Sequence, residues 1–149
     1  MLKLSIQRLN YLIQTMPPLL AKIPLSEYEY KPYPDKWSKK EILGHLLDSA
    51  TNNHHRFVRT QYEENFRITY DQIPLTQGNF YQSLPLDHLI RFWTIYNQHL
   101  LEIMSRVSAD KLLRTCDSGD PELRTLEWLM VDYVNHLEHH LRQLVLTIP

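Results

Sequence analysis

Proline falls in clumps along this chain (Pro17, Pro18 and Pro24; Pro32 and Pro34; Pro74 and Pro85; Pro121 and Pro149), and only three glycines accompany the nine prolines. Both residues interrupt helices, proline by removing a backbone donor and crowding the preceding turn, glycine through chain entropy. The long stretches between the clumps are therefore free to be helical, and the apolar spacing predicts four main helices. The first spans about residues 2–23, with Leu2, Ile6, Leu9, Ile13 and Met16 on an i, i+3/i+4 stripe, and the Pro17-Pro18 pair should break or kink it.

The second helix has the clearest entry. Ser38 is followed three residues on by Glu41, a capping box, and Trp37 precedes it at the staple position, so a helix should run from residue 38 to about 65. Residues 66–83, FRITYDQIPLTQGNFYQS, lack helical period and read as a connection of about twenty residues with room for a short extended piece. That length suits a crossover rather than a tight hairpin. A third helix over about residues 86–107 should bury Leu89, Phe92, Trp93, Tyr96, Leu100, Ile103 and Met104. Ser108 then opens a short turn or helix, and residues 112–124 read as irregular. Thr125 should cap a fourth helix that packs through Leu126, Leu129, Met130, Tyr133, Leu137, Leu141 and Leu144. The expected architecture is an all-α four-helix bundle with a long crossover between helices 2 and 3, forming one domain over residues 1–149.

Composition narrows the function classes. With 43% hydrophobic residues the chain can bury a core, and sixteen basic against seventeen acidic residues leave a net charge of -1. Neither nucleic acid nor an anionic membrane is attracted by such a balance. A single cysteine, Cys116, points to the cytoplasm. The N-terminal stretch is interrupted by Lys3, Gln7, Arg8, Asn10 and Gln14, so it reads as neither a signal peptide nor a membrane span.

The fourth helix carries His136, Leu137, Glu138, His139 and His140. At about 100° per residue, His136 and His140 differ by roughly 40° and lie one turn apart, so two imidazoles can chelate one ion. The spacing is that of HExxH, without its glutamate base in the usual place. Helix 2 offers the third ligand: His45 begins a polar line continued by Asp48, Asn52 and Arg56, which an ordinary core helix should not have. Asp132, His136, His140 and Gln143 form a matching line on helix 4, and two such lines would face each other across a wet cleft. Three neutral imidazoles leave an ion its charge and an open coordination position.

Plainer readings accompany each residue. Two of eight histidines at helical spacing arise by chance, His45 alone reads as a hydrogen-bonded core histidine, and Asp48, Asn52 and Arg56 could form an i, i+4 network on a solvated face. Asp132 is either a surface charge or the carboxylate that orients His136. His54, His55, His88, His99 and His139 read as surface or packing residues, with His55 or His139 as candidates for the cleft mouth, and Trp93, Tyr96 and Trp128 read as core.

The segments PDKWSKKEILGHLLDSATNNHHRFVR and RTLEWLMVDYVNHLEHHLRQL resemble the W-S-x-x-E-x-x-x-H and H-x-x-H-H-x-x-Q patterns of the DinB/YfiT-like family of metal-binding four-helix bundles. The resemblance implies a metal held by His45, His136 and His140, parallel second and third helices, and a homodimer. It also implies either thiol S-transfer with a low-molecular-weight thiol such as bacillithiol or mycothiol, or metal-dependent hydrolysis. The expected function is a metal-dependent enzyme whose divalent ion, zinc or nickel ahead of manganese or iron, activates a thiol or water against a small electrophile. Asp48, Asn52, Arg56 and Gln143 would position substrate or coordinated water. A non-catalytic metal-binding bundle, serving in stress response or as a dimerising module, is the rival reading.

Overall fold

The computed structural model describes residues 1–64, 66–145, 147 and 148. Helix α1 (Leu2–Lys22) passes unbroken through Pro17 and Pro18, against expectation. Met16 and Leu20 flank the pair and are fully buried, so core packing outweighs the lost backbone bonds. A short helix α2 (Leu25–Glu29) follows and folds back, its buried Tyr28 hydroxyl donating to the Leu20 carbonyl at 3.0 Å.

Helix α3 (Lys39–Arg59) starts where the capping box places it: the Ser38 hydroxyl accepts from the Glu41 N–H at 3.1 Å, and the Glu41 carboxylate accepts from the Ser38 N–H at 2.8 Å. It ends earlier than expected, and Asn65, which the expected helix reached, lies outside the described residues. The carbonyls of its C-cap and of the turn that follows are taken by cations from far along the chain. Arg114 donates to the carbonyls of Thr60 and Glu63 at 2.7 and 2.9 Å, and Lys111 donates to that of Gln61 at 2.6 Å.

The connection after α3 is more structured than its sequence suggests. Residues 66–68 pair with Asp117, helix α4 (Gln72–Gly78) is capped by the Asp71 side chain, and a 3-10 turn spans Tyr81–Ser83. Pro74 sits in the first turn of α4, where no donor is missed. The connection then returns to the start of α3, where Ser38 Oγ donates to Gln82 Oε1 at 2.6 Å and Lys40 Nζ to the Gln82 carbonyl at 3.0 Å. Helix α5 (Leu86–Arg106) thus begins beside the start of α3 and runs parallel to it. A short helix α6 (Ala109–Leu112) follows. The segment expected to be irregular then forms an antiparallel ladder of β1 (Thr115–Cys116) with β2 (Arg124–Thr125).

Thr125 caps helix α7 (Leu126–Leu144) by accepting from the Trp128 N–H at 3.2 Å. This helix runs antiparallel to α3, because Lys39 Nζ reaches the Leu144 carbonyl while Phe57 meets Tyr133 edge-on at 5.7 Å. Helix α3 packs against α5 and α7, and α1 packs against the same two, which makes a four-helix bundle. All seven packing residues expected on α7 are buried. On α5, Phe92 is 43% exposed instead, and Asn97 is buried in the core, accepting from the Tyr133 hydroxyl at 2.6 Å. Trp128 is also 40% exposed, with the Arg124 guanidinium 4.4 Å above its ring.

One carboxylate anchors the crossover. Asp48, buried on α3, accepts from Tyr81 Oη at 2.6 Å, Asn79 Nδ2 at 2.9 Å and Thr76 Oγ1 at 3.1 Å. The Tyr81 ring lies in a notch at Gly44, where an added Cβ would stand 2.1 Å from Cδ2. Gly44→Ala should therefore destabilise by about 1–3 kcal/mol through overpacking, although alanine is the better helix former by about 1 kcal/mol. Gly78→Ala in α4, where a Cβ meets nothing within 4 Å, is expected to be neutral or stabilising. Urea denaturation of the pair checks the opposite signs. Asp48→Ala should cost about 3 kcal/mol or more, because it strands donors that were paired with a buried charge; a loss below about 1 kcal/mol would show that the crossover is held by something else.

Candidate metal centre

His45 comes from the second turn of α3 and is fully buried, while His136 and His140 rise half-buried from the last turns of the antiparallel α7. One coordinating nitrogen from each of the three lies within 4.8 Å of the others. The ring centroids are 4.6 to 5.2 Å apart and every pair is edge-on, the arrangement of imidazoles converging on a common point rather than stacking.

The nitrogens that face inward follow from what the others bind. His45 Nε2 and His136 Nε2 approach to 3.3 Å, and His136 Nδ1 is turned away toward Ser49 Oγ at 3.4 Å. His140 Nδ1 meets the carbonyl oxygen of Gln143 at 3.0 Å; an oxygen only accepts, so Nδ1 carries the proton and Nε2 presents its lone pair. His45 Nδ1 is buried without a hydrogen-bond partner among the described residues, and Trp37 covers that ring at a centroid distance of 4.8 Å.

Burial, reinforced by the neighbouring imidazoles, drives His45 down to about 3 and His136 to about 4, and burial also lowers His140. At neutral pH all three rings are uncharged, and in their Nδ1-protonated tautomers they direct three Nε2 lone pairs into one small space. A proton is a poor guest for that space, and a divalent cation relieves all three lone pairs together. The donor set and geometry fit such an ion.

The other residues expected at the site divide. Asp48 points to the crossover and is saturated by its three donors. Asn52 donates to the Asp48 carbonyl at 2.9 Å on its own helix. Arg56 reaches the Ile68 and Ser118 carbonyls at 3.3 and 3.5 Å, its guanidinium 6.0 Å from the Tyr70 ring, and its buried Nε has no partner among the described residues. Gln143 alone touches the triad directly, and it also approaches His139 Nε2 at 3.3 Å. Asp132 is exposed; the group beside His136 Nδ1 is Ser49.

Sequence reasoning missed Ser49 and Tyr70. Ser49 lies one turn after His45 on the same face, a signal that was available. Tyr70, on the crossover, faces the Ser49 hydroxyl and the Arg56 guanidinium, and burial raises its pKa so that it remains a neutral donor. No local pattern could have placed it there. No helix among the described residues is long and apolar enough to cross a membrane.

Comparison with known proteins agrees with this fold. Four solved chains match. One is YfiT from Bacillus subtilis, described as a probable metal-dependent hydrolase with an unusual four-helix bundle topology. It superposes with a TM-score of 0.84 at 18% identity over 96% of this chain and 83% of its own. A DinB-like protein of Bacillus subtilis superposes with a TM-score of 0.64, also at 18% identity, over 94% of this chain and 85% of its own. No curated protein matches. The model of the DinB superfamily matches residues 8–144, nearly the whole of the bundle, and the chain belongs to that superfamily.

Proposed function

We propose that the protein is a metal-dependent enzyme in which His45, His136 and His140 hold one divalent cation and a small electrophilic substrate reacts beside them. The observation that carries this reading is the convergence of three neutral imidazoles from two antiparallel helices, each nitrogen within 4.8 Å of the others. The description of YfiT as a probable metal-dependent hydrolase supports it. Three nitrogen donors suit zinc or nickel, with manganese and iron behind them. An ion with three protein ligands keeps a coordination position in which the pKa of a water or a thiol is lowered.

The chain's own residues supply orientation. Gln143 fixes the tautomer of His140, and Ser49 does the same for His136 by accepting from its Nδ1. Tyr70 adds a donor at the cleft, and Arg56 adds positive charge suited to a carboxylate of substrate or co-substrate. Asp48 and Asn52 act on the site through the backbone they brace rather than by touching substrate. A low-molecular-weight thiol as co-substrate would make the reaction an S-transfer, and water would make it hydrolysis.

The direct test is metal content after exhaustive dialysis, followed by turnover of small electrophiles with and without added thiol. Wild-type protein should retain about one divalent ion per chain, and His136→Ala should lose affinity by more than about 100-fold, since even outer-sphere changes cost 10–100-fold. Thiol-dependent turnover by the loaded protein selects transfer, and thiol-independent turnover selects hydrolysis. Metal retained without exchangeable coordination or turnover would instead favour the non-catalytic bundle, and equal metal content in both proteins would end the proposal.

Acid sensitivity offers an independent check on the metal-free protein. The unfolded chain takes up protons on these imidazoles below the ordinary value of 6.5, while the folded chain resists until about 4 for His136 and about 3 for His45. The fold binds fewer protons than the unfolded state within that window, so stability falls as pH is lowered from 6.5 toward 3. Calorimetry of the apo protein should show Tm decreasing across the upper half of that window. His45→Asn should flatten the slope; an unchanged slope would mean that the ring is not held neutral.

A further inference from the structure

A second group of histidines lies outside this centre. Because α3 and α5 run parallel in contact, they bring His54 of α3 against His99 and Tyr96 of α5. The His54 and His99 rings meet edge-on with centroids 5.1 Å apart, nearly the 5.2 Å that separates His45 from His136. His54 is nine residues beyond His45, which places it about 13 Å further along α3 and on roughly the opposite side of that helix. The two groups therefore cannot share an ion.

The geometry points to a second metal site in which His54 and His99 chelate one late first-row divalent cation, such as Cu2+ or Ni2+, with water completing the coordination. His54 Nδ1 lies 2.9 Å from the Tyr96 hydroxyl. With that oxygen accepting, Nδ1 carries the proton and Nε2 is left as the ligand, the outer-sphere arrangement that orients metal-bound imidazoles. Tyr96 is itself held by stacking on Phe92 at 5.5 Å and 13°. His99 is exposed, and no hydrogen bond occupies its ring nitrogens among the described residues, so an ion can enter from solvent with its water shell partly intact. Burial and the neighbouring rings of His99 and His55 keep His54 below the usual imidazole range, which leaves its lone pair available at neutral pH. A cation held by one residue from each helix staples α3 to α5 in the folded state alone, and so stabilises the bundle by mass action.

The experiment uses the full-length chain with Cu2+ as the probe. In protein carrying His136→Ala and His140→Ala, Cu2+ should bind at about one equivalent per chain, show nitrogen hyperfine coupling by electron paramagnetic resonance, and raise Tm by a few degrees. Adding His54→Gln or His99→Gln should weaken binding at least about tenfold and abolish the Tm shift, whereas His88→Gln on the outer face of α5 should change neither. Should the background variant fold poorly, the same comparison holds in the wild-type chain. There the primary centre also takes Cu2+, so the wild type should bind about two equivalents and His54→Gln about one. An unchanged number of Cu2+ equivalents in both His54→Gln and His99→Gln, or no Cu2+ binding by the folded background variant, overturns the site. Loss of the primary equivalent in His136→Ala is a separate readout, so failure here leaves the proposed function untouched.

Discussion

The structure depends on how the polar face of α3 is satisfied in a place where it cannot reach water. His45, Asp48, Ser49 and Asn53 are all buried on one helix, and each would cost free energy if left unpaired. Asn53 bonds back to the Ser49 carbonyl at 2.9 Å. Asp48 cannot be satisfied locally, and it draws Thr76, Asn79 and Tyr81 from the crossover. Ser49 and His45 find their neighbours on α7. The positions of the crossover and of α7 are thus both set by polar groups on α3, with apolar packing filling the space around them.

What remains unsatisfied is informative because so much else is satisfied. His45 Nδ1 is buried with no hydrogen-bond partner among the described residues. A core selected only for stability would replace that histidine with an apolar residue of similar volume, since a buried polar group without partners costs about 1–3 kcal/mol. The retained cost sits beside two further imidazoles whose basicity is suppressed by burial, and perturbed titrating groups gather where chemistry is done.

The parts of the fold that were legible in the sequence are those governed by neighbours within a turn. The start of α3 follows from Ser38 and Glu41, the start of α7 from Thr125, the buried face of α7 from its leucine spacing, and the HxxxH pair from the pitch of a helix. The parts that were hidden are governed by partners far along the chain. The turn that follows α3 is held by Lys111 and Arg114, which take the carbonyls of Thr60, Gln61 and Glu63 across separations of about fifty residues. Pro17 and Pro18 fail to break α1 because the burial of Met16 and Leu20 exceeds what two missing donors cost. Tyr70 and the Asp48 partners belong to a segment whose period shows nothing, since its order comes from what it binds.

The crossover is consequently part of the scaffold of the candidate metal centre although no residue of it belongs to the triad. Gly44 admits the Tyr81 ring, Asp48 takes its hydroxyl, and both residues flank His45 on the same helix. The buried Lys40 ties the preceding turn to Gln82, and Trp37 closes over the His45 ring. A ligand so enclosed has almost no freedom to rotate away, while His136 and His140 on the partly open α7 are steered by hydroxyl and amide contacts that can adjust. One rigid donor and two adjustable ones allow a cation to be gripped without fixing its remaining coordination in advance, which is the arrangement a site needs if a reacting molecule is to enter and leave.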